Sequence, residues 1–489
     1  MKDTARMELG PVWPLLGFHL VVIACAGDTR SGEGTLGDLT TVAAATSAES
    51  AESSAGSTAT SAGAMSAGSA ESESTGESGE LTTGNASTPG ATEVSGTSAS
   101  EHEGGILFDL AGGGVTSAGE GSGGCACGST DWSYVWIANT KEGTVSKINT
   151  RTLVEEGRYI TRPDKGGSPS RTSVSIDGKA VVVANRYVGL VKIWAKPEFC
   201  SGGTTSIGKN DIKAWGSDDC VQWYTDFPDA TVQRPVAWTS GVLNPETCQY
   251  EHQKVWTTTG KNGNPGTCSG GVWVHRLDGD SGMIEDTIPI REEDFSCGAD
   301  GNLDFGPYGG AVDRQGNFWF QNQNWRVNKF VRVDFQSLDY EVFEGRGYGI
   351  TVDTKGRVWM SNQISRFDYS TMQWANANVS TLGGIAQDLQ GRIWAAERNG
   401  LVWVDMETLA VGGTITLPTP SLAQNGQVKG VSVDIDGFIW AVQQDDTKAY
   451  KIDPNTFAYQ FYDGLNGPYT YSDMTGGQIS NVECNPPEG

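Results

Sequence analysis

Gly384-Ile385-Ala-Gln-Asp388-Leu-Gln-Gly391-Arg-Ile393-Trp394-Ala-Ala-Glu397 is the stretch that decides the fold. It reads as apolar residues, an Asp-x-x-Gly turn and a second apolar run carrying a Trp, which is the grammar of a tight β-hairpin. The same phrase stands at Asp313-x-x-Gly316-x-Phe318-Trp319, at Asp353-x-x-Gly356-x-Val358-Trp359 and at Asp434-x-x-Gly437-x-Ile439-Trp440. Successive Asp residues are 40, 35 and 46 positions apart. A period near 40 built from short strands predicts blades of four strands that cannot bury their faces alone, and hence a ring.

The second strand of that hairpin recurs upstream without the full phrase, at Trp136 to Asn139, Val182 to Asn185 and Trp256 to Thr259, so seven blades are expected. Third strands follow at Thr144 to Asn149, Val327 to Asp334 and Lys448 to Asp453, and fourth strands at Tyr340 to Glu344 and Tyr459 to Tyr462. Residues Cys125 to Thr130 offer no inner strand to the first blade. Thr475 to Asn481 at the C-terminus matches one, so the expected fold is all-β: a seven-bladed β-propeller over 131–484 whose ring is closed by a C-terminal strand completing the first blade. Helical periodicity is not evident beyond the leader.

Upstream of the repeats the composition changes. Residues 26–124 are mostly Ser, Ala, Gly, Thr and Glu and are expected to be a disordered linker, because they bury too little to offset chain entropy. Residues 1–24 read as an export signal with Lys2 and Arg6 before an apolar core too short to span a bilayer, ending at Val22-Ile23-Ala24-Cys25. That ending resembles a lipoprotein lipobox, with Cys25 as lipidation site. The expected location is therefore the outer membrane or cell surface, held through a lipid anchor only, or otherwise the secreted fraction. Eight further Cys in an exported chain favour disulfides. Cys200 with Cys220 and Cys248 with Cys268 bracket Gly-rich insertions, and Cys484 is expected to meet Cys125 or Cys127 at the ring closure. The net charge of −25 argues against nucleic acid as a partner. A monomer is expected.

The Gly-Ile-x-x-Asp-x-x-Gly-x-Ile-Trp repeats, with a polar residue three beyond the Trp, resemble the streptogramin B lyase (virginiamycin B lyase-like) group of propellers. The phrases Gly143-Thr-Val-Ser-Lys-Ile-Asn149 and Lys451-Ile-Asp-Pro-Asn-Thr456 resemble it too, and the likeness covers about 131–481. It implies the propeller fold and, in that family, a metal-assisted elimination that opens a cyclic depsipeptide through His and Glu side chains in the central funnel. This chain departs from that pattern, since its four His are His19, His102, His252 and His275 and none falls on the expected repeats. Glu397 is the one carboxylate at a second-strand end, and so the candidate base of an alternative reading as a lyase or hydrolase of a cyclic peptide or polysaccharide. No cofactor is expected; a divalent metal would lack His ligands, although Asp211, Asp218 and Asp219 make a loop calcium site conceivable.

Hairpin geometry places inner-strand starts and second-strand ends at one mouth of the channel. The starts supply Arg171, Arg234, Tyr308, Tyr348 and Lys429, with Asp473 on the closing strand; the ends supply Asn139, Asn185, Thr259, Asn322, Asn362, Glu397 and Gln443. Amides, phenols and three cations in one concavity suit a polar ligand, whether a glycan, a peptide or a protein. These residues also have structural readings: the amides as bonds to neighbouring blades, the repeated Trp as core, and the repeated Asp as turn residues. The favoured expectation is a surface binding module.

Overall fold

The computed structural model describes residues 131–262, 271–291, 306–322, 328–345, 347–418 and 427–484. Export signal, Cys25, linker, Cys125, Cys127 and Cys268 lie outside these.

Blade 1 has three strands from the N-terminal side, β1 (Tyr134–Asn139), β2 (Thr144–Asn149) and β3 (Glu155–Ile160). Blade 2 holds β4 (Pro169–Val174), β5 (Ala180–Asn185), β6 (Leu190–Trp194) and β7 (Val221–Thr225). Blade 3 begins with β8 (Val232–Trp238) and, after a small hairpin of β9 (Val242–Asn244) and β10 (Gln249–Glu251), continues with β11 (Lys254–Lys261), β12 (Gly271–Asp278) and β13 (Ile284–Ile290). Blade 4 is β14 (Pro307–Val312), β15 (Phe318–Asn322), β16 (Lys329–Val333) and β17 (Tyr340–Glu344), and blade 5 is β18 (Ile350–Val352), β19 (Val358–Met360), β20 (Ser365–Asp368) and β21 (Gln373–Asn376). Blade 6 contains β22 (Ile385–Gln387), β23 (Arg392–Glu397), β24 (Gly400–Asp405) and β25 (Val411–Thr416). Blade 7 is β26 (Val428–Val433), β27 (Ile439–Gln443), β28 (Lys448–Ile452) and β29 (Tyr459–Asp463), and the chain ends with β30 (Tyr471–Ser472) and α1 (Gly477–Cys484). The architecture is the expected seven-bladed propeller.

The repeated phrase has one geometry in four blades. Each Trp pairs across its hairpin with the residue two before the Asp, as Trp359 does with Thr351 and Trp394 with Ala386. The Asp therefore sits where one oxygen can close the turn and the other can reach the indole. Asp353 Oδ1 accepts the N–H of Lys355 and of Arg357 at 2.9 Å, and its Oδ2 accepts Trp359 Nε1 at 2.8 Å. Asp313, Asp388 and Asp434 accept Trp319, Trp394 and Trp440 in the same way at 2.8–2.9 Å. A wholly buried indole is stabilised by about 4–6 kcal/mol of apolar transfer, provided its one donor is satisfied, and the turn carboxylate satisfies it.

Closure follows the expected scheme with a different register. β30 runs parallel to β4, Tyr471 opposite Arg171, while Trp136 N donates to Met474 O at 2.8 Å. The closing segment thus joins both ends of the ring: β30 adds to the blade 2 sheet at β4, and Met474 takes beside Trp136 in blade 1 the place that Thr351 has beside Trp359. Thr475 to Asn481, expected as the strand itself, instead form a turn and most of helix α1. The reason is local. Asp473 Oδ1 accepts the N–H of Gly476 at 2.9 Å and of Gln478 at 3.4 Å, capping the helix start. At Gly477 a Cβ would lie 2.1 Å from Val433 O, so only glycine lets the helix begin against an inner strand.

Helix α1 lies across the channel at the end where the inner strands finish. Gln478 Nε2 donates to Val312 O at 3.1 Å, Asn481 Nδ2 to Gln387 O at 3.2 Å, and Ser240 Oγ to Glu483 at 2.7 Å. Ile479 and Val482 bury into the blade cores. With only these two apolar residues in a single pair of turns, the helix carries too little periodicity to be read from sequence. Cys200 and Cys220 form the expected disulfide, closing a separation of 20 residues. Cys248 and Cys484 are each disulfide-bonded as well, to partners outside the described residues.

Candidate ligand site at the tyrosine end of the channel

At the end of the channel opposite α1 the inner strands begin, and four tyrosines meet there: Tyr308 on β14, Tyr348 just before β18, and Tyr469 and Tyr471 on the closing segment. The Tyr308 and Tyr469 hydroxyls are 2.6 Å apart, and the Tyr348 hydroxyl also bonds that of Tyr469. Four cations stack on this cluster. The Arg171 guanidinium lies 3.2 Å from the centre of the Tyr471 ring and 4.7 Å from that of Tyr308; Arg186 is 4.0 Å from Tyr469, Arg234 is 5.1 Å from Tyr308, and Lys429 Nζ is 4.4 Å from Tyr348. All four are buried. A cation over a tyrosine face is held by the ring quadrupole, more strongly as water is excluded.

The backbone positions these groups. Arg171 Nε donates to Tyr308 O at 3.2 Å and its Nη1 to Ser170 O at 3.0 Å, while Lys429 Nζ donates to Leu382 O at 3.2 Å. Blades adjoin closely enough for this because small residues stand at the entries: Gly384 N donates to Lys429 O at 2.7 Å, and a Cβ there would lie 2.9 Å from Val431 N.

Of the residues expected at this mouth, Arg171, Arg234, Tyr308, Tyr348 and Lys429 come together in one cluster. Asp473 does not join it: its carboxyl faces along the channel to cap α1, and burial pushes its pKa up to about 6. Asn139 and Asn185 take up the structural alternative. Asn139 bonds Ser146 Oγ at 2.7 Å and Asn466 N at 2.9 Å, and Asn185 bonds Thr161 O and Gly189 O. Thr259 is turned away, its hydroxyl 2.8 Å from His275 Nε2 on blade 3. Asn362, with φ 111°, receives a Thr381 hydroxyl acceptor at its own N–H and leaves its side chain half-buried. Gln443 is wholly buried at the end of β27. Among the described residues the buried Asn322 amide finds no hydrogen-bond partner at either atom, and neither does the buried Tyr471 hydroxyl. Asn322 pairs with Pro307, next to Tyr308, so two unsatisfied polar groups border the cluster.

Glu397 ends β23 half-buried on blade 6, whereas His252 and His275 both belong to the blade 3 region. His275 is enclosed by Thr259 and Thr287, and burial pushes its pKa down to about 4. Asp218 accepts from Ser206 Oγ at 2.6 Å and Asp219 from Thr204 N at 2.8 Å, so these loop carboxylates brace the Cys200–Cys220 insertion. Among the described residues no group of three or more His, Cys, Asp or Glu is placed to hold a metal, and no helix is long and apolar enough to cross a membrane.

Sequence reading missed Arg186, Tyr469 and Tyr471. The alternation Tyr469-Thr-Tyr471 carries the signal for the two tyrosines, upstream of the expected closing strand Thr475 to Asn481. It also missed Gln321 and Ser361, one residue before the expected amides: Gln321 Oε1 accepts Gly347 N at 2.9 Å and Ser361 Oγ accepts Gly349 N at 2.7 Å, each tying one blade to the next.

No family model matches the sequence, and no curated protein matches it. Among solved structures the chain is similar to a catalytically inactive virginiamycin B lyase from Staphylococcus aureus crystallised with quinupristin, at 15% identity over 60% of this chain and 84% of that one, with a TM-score of 0.41. It is similar to a streptogramin B lyase at 14% identity over 62% and 86%, TM-score 0.41, and to a protein from Lactobacillus plantarum at 11% identity over 69% and 98%, TM-score 0.45. The likeness is one of fold.

Proposed function

We propose that this propeller is a binding module for an anionic polar ligand, which reaches the channel at its tyrosine end and is presented at the cell surface by a lipid on Cys25 and the linker of residues 26–124. The observation that carries the reading is the convergence of Arg171, Arg186, Arg234 and Lys429 on one buried tyrosine cluster in a chain of net charge −25. Guanidinium and ammonium groups brought together in this way give an anion several charge-assisted hydrogen-bond donors at once. The Asn322 amide and the Tyr471 hydroxyl add neutral donors that a carboxylate-bearing glycan or acidic peptide would satisfy. Helix α1 stands across the opposite end of the channel.

The test is calorimetric titration of the full chain with an oligo-galacturonide, its methyl ester, and an oligo-glutamate peptide. The reading expects an anionic probe to bind without turnover, the neutral ester to bind at least about tenfold more weakly, and Arg234→Met with Lys429→Met to abolish the preference. Indifference to the charge of the probe, or undiminished binding by the double variant, contradicts it.

A further inference from the structure

We infer that the cleft between the β7–β8 connection and the outer strands of blade 3 is a second binding site, separate from the channel, for a ligand with an apolar body and a cationic head. Its volume is about 550 Å³, within the range of small-molecule sites. One wall is the connection Asp226 to Ala230; the other is the face of the sheet formed by β11, β12 and β13.

The floor is apolar and aromatic. Phe227 is buried against the His275 ring at a centroid distance of 4.9 Å, while Trp273 keeps part of its indole exposed to the cleft and Ile284 stands exposed at its edge. A half-exposed indole face attracts a cation as well as an apolar surface. His275 contributes no charge that would oppose this. Both its ring nitrogens are engaged, by Thr259 Oγ at 2.8 Å and Thr287 Oγ at 3.1 Å, and burial keeps the imidazole neutral above about pH 4.

The rim sets the sign of the head group. Asp226 and Asp229 are both exposed on the connection, and among the described lining residues Lys261 is the one cation against them. An ammonium or guanidinium at this rim meets two carboxylates and an indole face, whereas an anion meets repulsion from both the rim and the chain as a whole. The cleft therefore selects the opposite charge to the tyrosine end.

The test uses two probes with the same body, 2-phenylethylammonium and 2-phenylethanol, titrated into the full chain at low salt and followed by NMR of the Trp273 indole N–H, assigned by its loss in Trp273→Leu. The ammonium is expected to bind about fivefold more tightly than the alcohol, and Asp226→Asn with Asp229→Asn to remove that difference while leaving the alcohol unchanged. Because these aspartates are exposed, the double variant keeps the fold, which its melting temperature checks. Equal affinities for the two probes in the parent chain, no perturbation of the Trp273 signal at millimolar probe, or an ammonium preference that survives the double variant would each overturn the inference.

Discussion

Asp388 Oδ2 lies 2.8 Å from Trp394 Nε1, so the residue that turns each repeated hairpin also satisfies the polar atom of that blade's largest core side chain. Asp388 is wholly buried and accepts the N–H groups of Gln390 and Arg392 through its other oxygen. Asp388→Ala should therefore cost about 3 kcal/mol, because it strands several buried donors at once, while Trp394→Phe removes the donor with the acceptor still in place. Urea unfolding of the two single variants and the double variant should give a coupling of about 1–2 kcal/mol, and additive losses would show that the contact is incidental.

Asp473 makes the closure sensitive to pH. Its carboxyl titrates at about 6 in the folded chain because burial disfavours the charged form, against about 3.9 in an unfolded chain. Between those values the folded state holds a proton that the unfolded state releases, so this group favours the fold below pH 4 and its contribution is lost as pH rises through 6. Relative to the parent, Asp473→Asn should flatten the dependence of the urea midpoint between pH 4.5 and 7.5, with a difference of a few kcal/mol across the window. Asp434 is pushed up to about 6 by burial as well and remains in both proteins, so comparing the two isolates Asp473.

Two truncations separate strand from helix. Ending the chain at Gly476 keeps Tyr471, Ser472 and Met474 in the closure but removes Ile479 and Val482 from the cores and the disulfide of Cys484, which should together cost about 5–8 kcal/mol and leave a cooperative transition. Ending it at Tyr469 removes the bond from Trp136 to Met474 and the pairing with β4, and no cooperative melt should remain. A melt of unchanged midpoint after the second deletion would contradict closure by this strand.

The Cys200–Cys220 bridge should contribute about 3 kcal/mol by restricting the unfolded chain over its 20-residue separation. Replacing both with Ser is expected to lower the chemical-denaturation midpoint by that equivalent, and a midpoint matching the parent would assign the insertion's order to Asp218 and Asp219 alone.

What could be read in advance divides along physical lines. Blade number and most strand positions were legible because Asp-x-x-Gly and the Trp six residues after the Asp recur with local, short-range meaning. The bond between them was not, since sequence shows Asp as a turn residue and Trp as a core residue but not the hydrogen bond that links the two. Arg171, Tyr308, Tyr348 and Lys429 were found because inner-strand starts are a position in a hairpin, which sequence reports. Arg186, Tyr469 and Tyr471 were not, because their place depends on ring closure across some three hundred residues of chain and on which of two adjacent segments, Tyr469 to Met474 or Thr475 to Asn481, forms the strand. Gly477 against Val433 O decides that choice, and a contact of this kind appears only in three dimensions.

The most direct test of the account is the thermal midpoint of the full chain and of its Arg234→Met, Lys429→Met variant at pH 7.5, with and without citrate at constant ionic strength. A ligand that binds only the native state must raise the midpoint. The account predicts that citrate raises it in the parent and leaves the variant unmoved; an equal rise in both, or none in the parent, would contradict an anion site at the tyrosine end of the channel.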